Sequence, residues 1–447
     1  MDTTTAHHTL AQFRDEAYQT LGHRKDSLFE LMEAALSGPG RATLVRLSLT
    51  PLFRRRWPSA CDALADGDLD AARCRGLVQR YLPARPSSGR PLWAGDGTVW
   101  PRPAAKTSPA RTYGHRTSPG LPQSGLVPAW EYEWLVQVPE ARGSWVLPLD
   151  VRRRGPTAGT PTAVASAQLQ AELAGRSAGA ARPVGVYDSG YDPVTFARAR
   201  LPLDLLVRLR TRRKFFGPPG PYRGRGPRPK HGHEFKLWDA RTHRPPDRAA
   251  VGQDPRHGRV QVEVWAEQHV QGAHDVPFTV VRVQVERLPG RARPPAPLWL
   301  AWIGGALPDD LLELWRWYAR RFTAEHGFRF LKQDLGWTTI RPRDPAAADR
   351  WSWLLALALW QLWLARSLVA DQRLPWERPL PPERLTPGRV RRAVALELSR
   401  LGTPARPCRT RGKAPGRQPG ECPGPHPRYA VVRRHPPTAR KRPKRIA

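Results

Sequence analysis

The spacing of apolar positions changes several times along the chain, and each change marks a different kind of element. In residues 9–82, apolar side chains such as Phe13 and Leu21 recur three or four positions apart, a period that predicts amphipathic helices. The Gly-Pro-Gly stretch at 38–40 interrupts the pattern. We therefore predict a helical N-terminal domain, whose Arg run at 54–56 is either a DNA-binding patch or a solvated corner.

Shorter apolar runs replace the helical period after residue 90. They predict strands at 91–100, 130–138, 144–151, 183–187 and 203–209 and helices at 162–173 and 193–200. The order β-β-β-α-β-α-β is typical of an α/β fold with a mixed central sheet.

A Gly- and Pro-rich segment with many cations, residues 214–236, then interrupts the sheet pattern. No packed element tolerates such a composition, so we predict an exposed loop that faces nucleic acid. The alternating segments that follow predict a β-rich insertion, and the last two apolar patterns predict helices; the segments are 260–267, 278–286 and 297–304 for strands and 311–336 and 346–369 for helices.

The charge of the chain favours a polyanionic partner. Its 73 Lys and Arg residues outweigh 39 Asp and Glu, for a net charge of +34, and nucleic acid is the default partner of such a surface. Only nine of the cations are Lys, so a GC-rich coding bias is an alternative source of part of the excess. Residues 403–447 carry thirteen cations, one acid and ten Pro, which predicts a disordered basic tail that binds DNA phosphates non-specifically.

Cysteine usage and hydropathy limit the cellular compartments in which we expect the protein. Four Cys in 447 residues, with no CxxC pair, indicate a reducing compartment. A zinc site from Cys408, Cys422, His426 and His435 is disfavoured because their spacing fits no common zinc finger. The N-terminus lacks the features of a secretion signal, and the longest apolar run is too short for a membrane span. We expect a cytoplasmic, nucleoid-associated protein with no membrane partner.

The predicted helix at 311–336 carries an unusual polar face. Tyr318, Arg321, Glu325 and Lys332 fall within an arc of roughly 60° on an ideal helix, so two cations and a phenol surround one carboxylate. A solvated salt-bridge face is the simple alternative. Flanking aromatic residues indicate instead that the helix is largely buried, and buried charges usually have a function.

Two aspartates are followed by small, turn-forming residues, at points where we expect strands to end. Asp96 precedes Gly97, and Asp188 precedes Ser189, and carboxylates at the carboxyl ends of neighbouring strands point into the ligand crevice of an α/β sheet. Each is also compatible with a turn or cap role, and Asp192 is a rival to Asp188. Together with Glu325 they form a set of three oxygen donors suited to Mg²⁺, and two such ions would clamp the oxygens of an in-line phosphodiester displacement.

These residues carry a resemblance to a known family. The spacing Y-x2-R-x3-E-x6-K, formed by Tyr318, Arg321, Glu325 and Lys332, resembles the signature of the DDE transposases of bacterial insertion sequences, in the group named after insertion sequence four. Asp96 in GDGT and Asp188 in VYDSGYD resemble the first two acids of the DDE triad. The resemblance runs from about residue 10 to 420.

The resemblance implies a fold and a mechanism. The fold is an α/β, RNase H-like catalytic core with a mixed central sheet, interrupted by a β-rich insertion, plus an N-terminal helical domain and the tail. The implied boundaries are 1–86 for the helical domain, 87–212 and 305–402 for the two parts of the core, 213–304 for the loop and insertion, and 403–447 for the tail.

The implied enzyme cleaves DNA at the ends of the element with Mg²⁺, for which Mn²⁺ is expected to substitute, and transfers the freed 3′-hydroxyl to target DNA. Its partners are the terminal inverted repeats and the target, bound by a dimer. The resemblance makes Asp96, Asp188 and Glu325 the catalytic metal ligands, and it makes Tyr318, Arg321 and Lys332 contacts to DNA. A catalytically inactive DNA-binding protein derived from a transposase is the alternative, and an RNA-binding structural protein fits less well because no RNP-like aromatic motif is present.

Overall fold

The computed structural model describes residues 3–38, 40, 43–83, 89–116, 125–177, 179–222, 224, 226–290 and 293–408, with isolated positions beyond 408. Its helices are α1 (Thr3–Gln19), α2 (Lys25–Ser37), α3 (Leu44–Leu47), α4 (Trp57–Asp66), α5 (Ala71–Arg80), α6 (Pro161–Ala174), α7 (Pro193–Ala199), α8 (Leu312–Arg320), α9 (Phe322–Gln333), α10 (Pro345–Ala365) and α11 (Pro387–Leu401). Its strands are β1 (Leu92–Pro101), β2 (Thr112–Arg116), β3 (Gly125–Gln137), β4 (Leu147–Arg154), β5 (Val184–Tyr187), β6 (Asp204–Arg208), β7 (Lys214–Phe216), β8 (Glu234–Lys236), β9 (Arg248–Asp254), β10 (Gly258–Val270), β11 (Ala273–Val285) and β12 (Leu298–Ile303).

One large mixed sheet runs through the α/β fold. Its order is β2-β3-β1-β5-β6-β12-β11-β10-β7-β8, with β4 paired to β3 and β9 to β10. Strands β1, β5 and β6 are parallel, and β3 is antiparallel to β1. Strand β12 pairs antiparallel with β6, which covers an edge that would otherwise expose unpaired backbone groups. The strands of the predicted insertion thus continue the central sheet.

Helix α10 organises the layer on one face of this sheet. Its apolar side chains occur all round, from Trp351 to Leu362, so every side of the helix needs cover. It packs on β4 and against α1, α2, α4, α5 and α11, and the buried residues of these helices form one continuous core. The N-terminal helices therefore share a core with 345–401, while α6 and α7 cover the opposite face through a second cluster.

Local capping signals start several of these helices where the sequence suggests. Thr160 caps α6 and Asp344 caps α10, each followed by Pro in the first turn. Asp192 accepts a bond from the Thr195 amide and caps α7. That observation gives Asp192 a capping role, and the assignment of Asp188 to the candidate site stays a prediction.

Two predicted elements differ in the structure, and two strands were not predicted. The helix expected at 311–336 is two helices, α8 and α9, which meet at Arg321, where the Arg321 amide donates to Tyr318 O in a tighter turn. The ends of the loop expected at 214–236 form the β7–β8 ladder, because Phe215 and Phe235 are buried side by side. Strands β2 and β9 were not predicted at all.

The predicted tail, 403–447, lies largely outside the described residues, and so do His426 and His435. Its first residues, however, are packed: Ala405 is buried, the Arg54 guanidinium donates to Ala405 O at 2.7 Å, and the Arg406 amide donates to Asp26 at 2.9 Å. Burial of Ala405 and these bonds hold the start of the segment on the N-terminal helices. Disorder beyond 408 and the division into five domains stay predictions.

None of the helices within the described residues is long and apolar enough to span a membrane.

Candidate active site

Strand register places the two aspartates level with each other. Ala94 of β1 pairs with Val186 of the parallel neighbour β5, so Asp96 and Asp188 each lie two residues further along. The prediction that a strand ends at Asp96 is wrong: Asp96 lies in the middle of β1, where β3 pairs with it as far as Pro101, whereas Asp188 directly follows β5. Because side chains alternate across a strand, both share the sheet face of Ala94 and Val186, the face covered by α8 to α10. Asp188 also accepts a bond from the Gly190 amide at 2.8 Å, so it shapes its own turn as well.

Arg321 joins Asp96 to Glu325. Its guanidinium lies 3.2 Å from Asp96 Oδ2 and 3.2 Å from Glu325 Oε1. The Arg321 side chain is 11% exposed and Asp96 18%, whereas Glu325 is 43% exposed. One buried cation at the junction of α8 and α9 therefore bridges a strand carboxylate and a helix carboxylate that are 229 positions apart.

The other two residues of the predicted signature lie beside this pair. The Arg321 guanidinium lies 5.9 Å from the centre of the Tyr318 ring, and burial raises the pKa of the Tyr318 hydroxyl although Arg321 and Arg208 oppose the increase. Lys332 Nζ donates to Thr98 Oγ1 at 2.5 Å, and Thr98 shares the β1 face with Asp96. All six predicted site residues thus belong to one crevice between β1, β5 and the α8–α9 pair.

The charges in the crevice are coupled. Burial raises the pKa of Asp96 to about 6; Arg321 lowers it, while the negative charges of Asp188 and Glu325 raise it further. Burial lowers the pKa of Arg321, but Asp96, Asp188 and Glu325 together hold it above the ordinary value. The crevice therefore holds three carboxylates beside two cations, Arg321 and Lys332, and the carboxylates outnumber the cations by one.

Two family profiles match this chain. One, described as a DDE superfamily endonuclease, covers residues 16–270, which is more than half of the chain and includes Asp96 and Asp188. The other, described as a transposase DDE domain, covers residues 306–361 and includes Glu325. The chain belongs to the DDE superfamily endonucleases.

A solved structure resembles this endonuclease at low identity. It is a piggyBac transposase synaptic complex with hairpin DNA, 9% identical, with a TM-score of 0.41 over 90% of this chain and 82% of that chain. No curated protein sequence matches the chain.

The DDE endonuclease also has a buried carboxylate that sequence reasoning missed. Glu133 of β3 lies opposite Gly97 of β1 and accepts a bond from the Tyr191 hydroxyl at 2.5 Å. Burial raises its pKa to about 7, Tyr191 and Arg154 lower it, and Asp96 adds to the increase. Glu133 lies next to Gly97, 36 positions earlier in the chain, because β3 pairs with β1. The alternation of apolar and polar residues in β3 was the one sequence signal that pointed to Glu133.

The donor chemistry of the crevice fits a hard divalent cation, because Asp96, Asp188 and Glu325 supply carboxylate oxygens. Among the residues that the structure describes, no three His, Cys, Asp or Glu side chains lie close enough together to hold a metal ion. Arg321 lies between Asp96 and Glu325 in the position of a cation. Shared metal coordination by Asp96, Asp188 and Glu325 therefore stays a prediction.

Proposed function

We propose that this DDE endonuclease is the transposase of a bacterial insertion sequence of the insertion-sequence-four group. Its reaction is cleavage of DNA at the ends of the element, followed by attack of the freed 3′-hydroxyl on target DNA. The observation that carries the proposal is the level placement of Asp96 and Asp188 on adjacent parallel strands, with Arg321 linking Asp96 to Glu325. The Y-x2-R-x3-E-x6-K spacing resembles the signature of that group and supports this part of the proposal.

An RNase H-like catalytic core is part of this proposal. The strand order β4-β3-β1-β5-β6, with β3 antiparallel to three parallel strands, supports it. In this arrangement the first acid lies on the central strand and the second on its parallel neighbour, where side chains converge at one edge. Strands β7 to β12 are then the insertion between the second acid and Glu325, built onto the free edge of β6.

Each residue of the crevice has a role in the proposed reaction. Asp96, Asp188 and Glu325 would hold Mg²⁺, two ions in the full site, with Mn²⁺ as a substitute. Bound ions of this kind activate water and stabilise the charge that develops on a phosphodiester. Arg321, Tyr318 and Lys332 orient phosphate oxygens beside the carboxylates, and Arg321 is released from its two carboxylate partners when phosphate and cation bind.

Cleavage of an end-containing duplex with Mg²⁺ tests the proposal. The wild-type protein is expected to nick at the end of the element, while Asp188→Ala and Glu325→Ala lower the rate by at least ~10²-fold, since each removes charge stabilisation at the reacting phosphate. Glu383→Ala, an exposed change on the 380–386 segment, is the matched control and keeps the rate. Undiminished nicking by Asp188→Ala would show that these carboxylates are not the catalytic set.

A catalytically inactive DNA-binding protein is the second candidate. The ion pairs of Arg321 with both Asp96 and Glu325 favour it, because an arginine that stays there keeps the carboxylates from other cations. The same assay separates the two functions: wild-type protein that binds the duplex tightly but never nicks it with Mg²⁺ or Mn²⁺ has the second function. The transposase proposal also includes assembly as a dimer on two DNA ends and association with the nucleoid.

A further inference from the structure

A second groove lies on the other side of the α8–α9 pair. Its volume is about 660 Å³, and its walls are the β9–β10 turn at 253–257, the 141–143 loop and the faces of α8 and α9 that include Arg316, Arg320 and His326. Neither Arg321 nor Glu325 lines it. Arg320 and Arg321 are sequence neighbours about 100° apart on the helix, so one faces the groove and the other faces the carboxylates.

Arg320 is a buried cation without an anionic partner. Its residue is 9% exposed, one Nη donates to Val138 O at 2.9 Å, and its Nε has no hydrogen-bond partner. Within the described residues no carboxylate lies within salt-bridge distance of it. Arg14, Arg366 and Arg389 are buried to a similar degree, yet each pairs with a carboxylate.

The groove around Arg320 has the charge expected of an anion site. Burying a guanidinium without a partner is costly, so such a group persists where it acquires an anion in function. Exposed Arg142 and Arg256 stand on the walls. Two carboxylates, Asp254 and Glu313, also line the groove. Asp254 already pairs with His257 at 2.9 Å.

We propose that this groove binds a backbone phosphate of DNA, with Arg320 as the direct ligand. The inference rests on the proposed function. A protein that acts on DNA and carries a net charge of +34 binds DNA largely through the phosphates of its backbone. The α8–α9 pair then contacts DNA on two sides: Arg321 faces the phosphate that reacts, and Arg320 holds a second segment of the backbone. The two contacts set the position of the helix relative to the duplex.

A salt series of duplex binding without divalent ions tests the proposal. Arg320→Gln keeps a donor for Val138 O but removes the charge, so its affinity should fall several-fold and its plot of log K against log[salt] should be less steep by about 0.9, the change expected when one phosphate contact is lost. Arg391→Gln is the matched control, because the hydrogen bonds of Arg391 to other described residues go to the backbone carbonyls of Ala35 and Gly38. It should keep the wild-type slope.

A wild-type slope for Arg320→Gln would overturn the assignment. Two further measurements then say what Arg320 does instead. A lower thermal midpoint for Arg320→Gln makes Arg320 a structural residue. If inorganic phosphate raises the thermal midpoint of the wild type but not of Arg320→Gln, the groove takes free anions only.

The measurement is independent of catalysis. Because divalent ions are absent, a wild-type protein that never nicks DNA still gives a slope. A failed cleavage assay therefore counts against the proposed function alone, and an unchanged slope counts against the groove alone.

Discussion

Burial raises the pKa of several carboxyl groups in this protein well above the value of the free residue. Asp96 and Glu133 lie near the proposed chemistry, but Glu172 of α6 shows the same effect far from it. Burial raises the pKa of Glu172 to about 7, the Gln79 bond lowers it, and Asp150 adds to the increase. Glu172 Oε1 has no hydrogen-bond partner, so the ionised form is poorly compensated.

Replacing Glu172 with Gln should therefore stabilise the protein at alkaline pH. The folded-state pKa of about 7 is above the ordinary value of 4.5, so the folded state keeps a proton that the unfolded chain has released, and stability is lost as pH rises through this window. Glu172→Gln should exceed the wild type by up to ~3 kcal/mol at pH 8 and match it near pH 4.5. Urea denaturation at both pH values measures the difference.

Glu383→Gln, a change at an exposed site, is the control for that comparison and should show no dependence on pH. Equal stability of Glu172→Gln and the wild type at pH 8 would mean that water or Arg75 neutralises the carboxylate.

At the scale of elements, successive side chains of β1 point to opposite faces of the sheet, and each face contacts a different part of the protein. Asp96 and Thr98 face the α8–α9 pair, while Gly95 faces the second cluster, where the Tyr187 ring fills the space that its side chain would occupy. A Cβ on Gly95 would overlap that ring. Tyr187 is fully buried against Tyr191 and Phe196, so it has no room to move.

Gly95→Ala should consequently destabilise the fold by ~1–3 kcal/mol, the usual cost of overpacking a core. It should also slow nicking, because Tyr187 precedes Asp188 directly. Gly272→Ala is the control, since a Cβ there meets nothing within 4 Å. Thermal denaturation compares the two variants, and equal midpoints would contradict the packing of Tyr187 against β1.

At the scale of the whole molecule, the chain returns to its N-terminal helices before the basic segment begins. Burial of Ala405 and the bonds of Arg54, Arg55 and Asp26 to 405–406 attach residues 403–408 to that layer. Twelve of the thirteen Lys and Arg residues in 403–447 lie after this attachment.

Two truncated chains distinguish the contribution of the 403–408 contacts to stability from the contribution of the basic tail to DNA binding. A chain ending at 402 should have a lower thermal midpoint than one ending at 408, because Asp26 and Arg54 lose partners and a buried residue is lost. Both truncations remove twelve cations beyond 408, so both should bind duplex DNA less tightly and with less salt dependence than the full chain. Identical midpoints would show that the 403–408 contacts contribute nothing to folding.

The sequence alone determined much of the catalytic half. Strand and helix periods are local properties, so β1, β5, β6, α6, α7 and α10 were predicted near their observed positions. The spacing of Tyr318, Arg321, Glu325 and Lys332, together with Asp96 and Asp188, predicted the candidate site because strand and helix faces follow from the same periods. The sequence did not show that β1 continues past Asp96 to Pro101, since that length depends on pairing with β3.

Tertiary structure decided what depends on pairing between distant residues. No local pattern indicates that β12 joins β6, that β9 pairs with β10, or that Glu133 lies opposite Gly97, since register is a property of two segments together. Arg320 and Arg321 are adjacent residues of the same type, so the sequence does not show which of them pairs with carboxylates. Packing alone gave one of them two carboxylates and left the other buried without an anion, because the direction of each side chain is set by what the helix lies against.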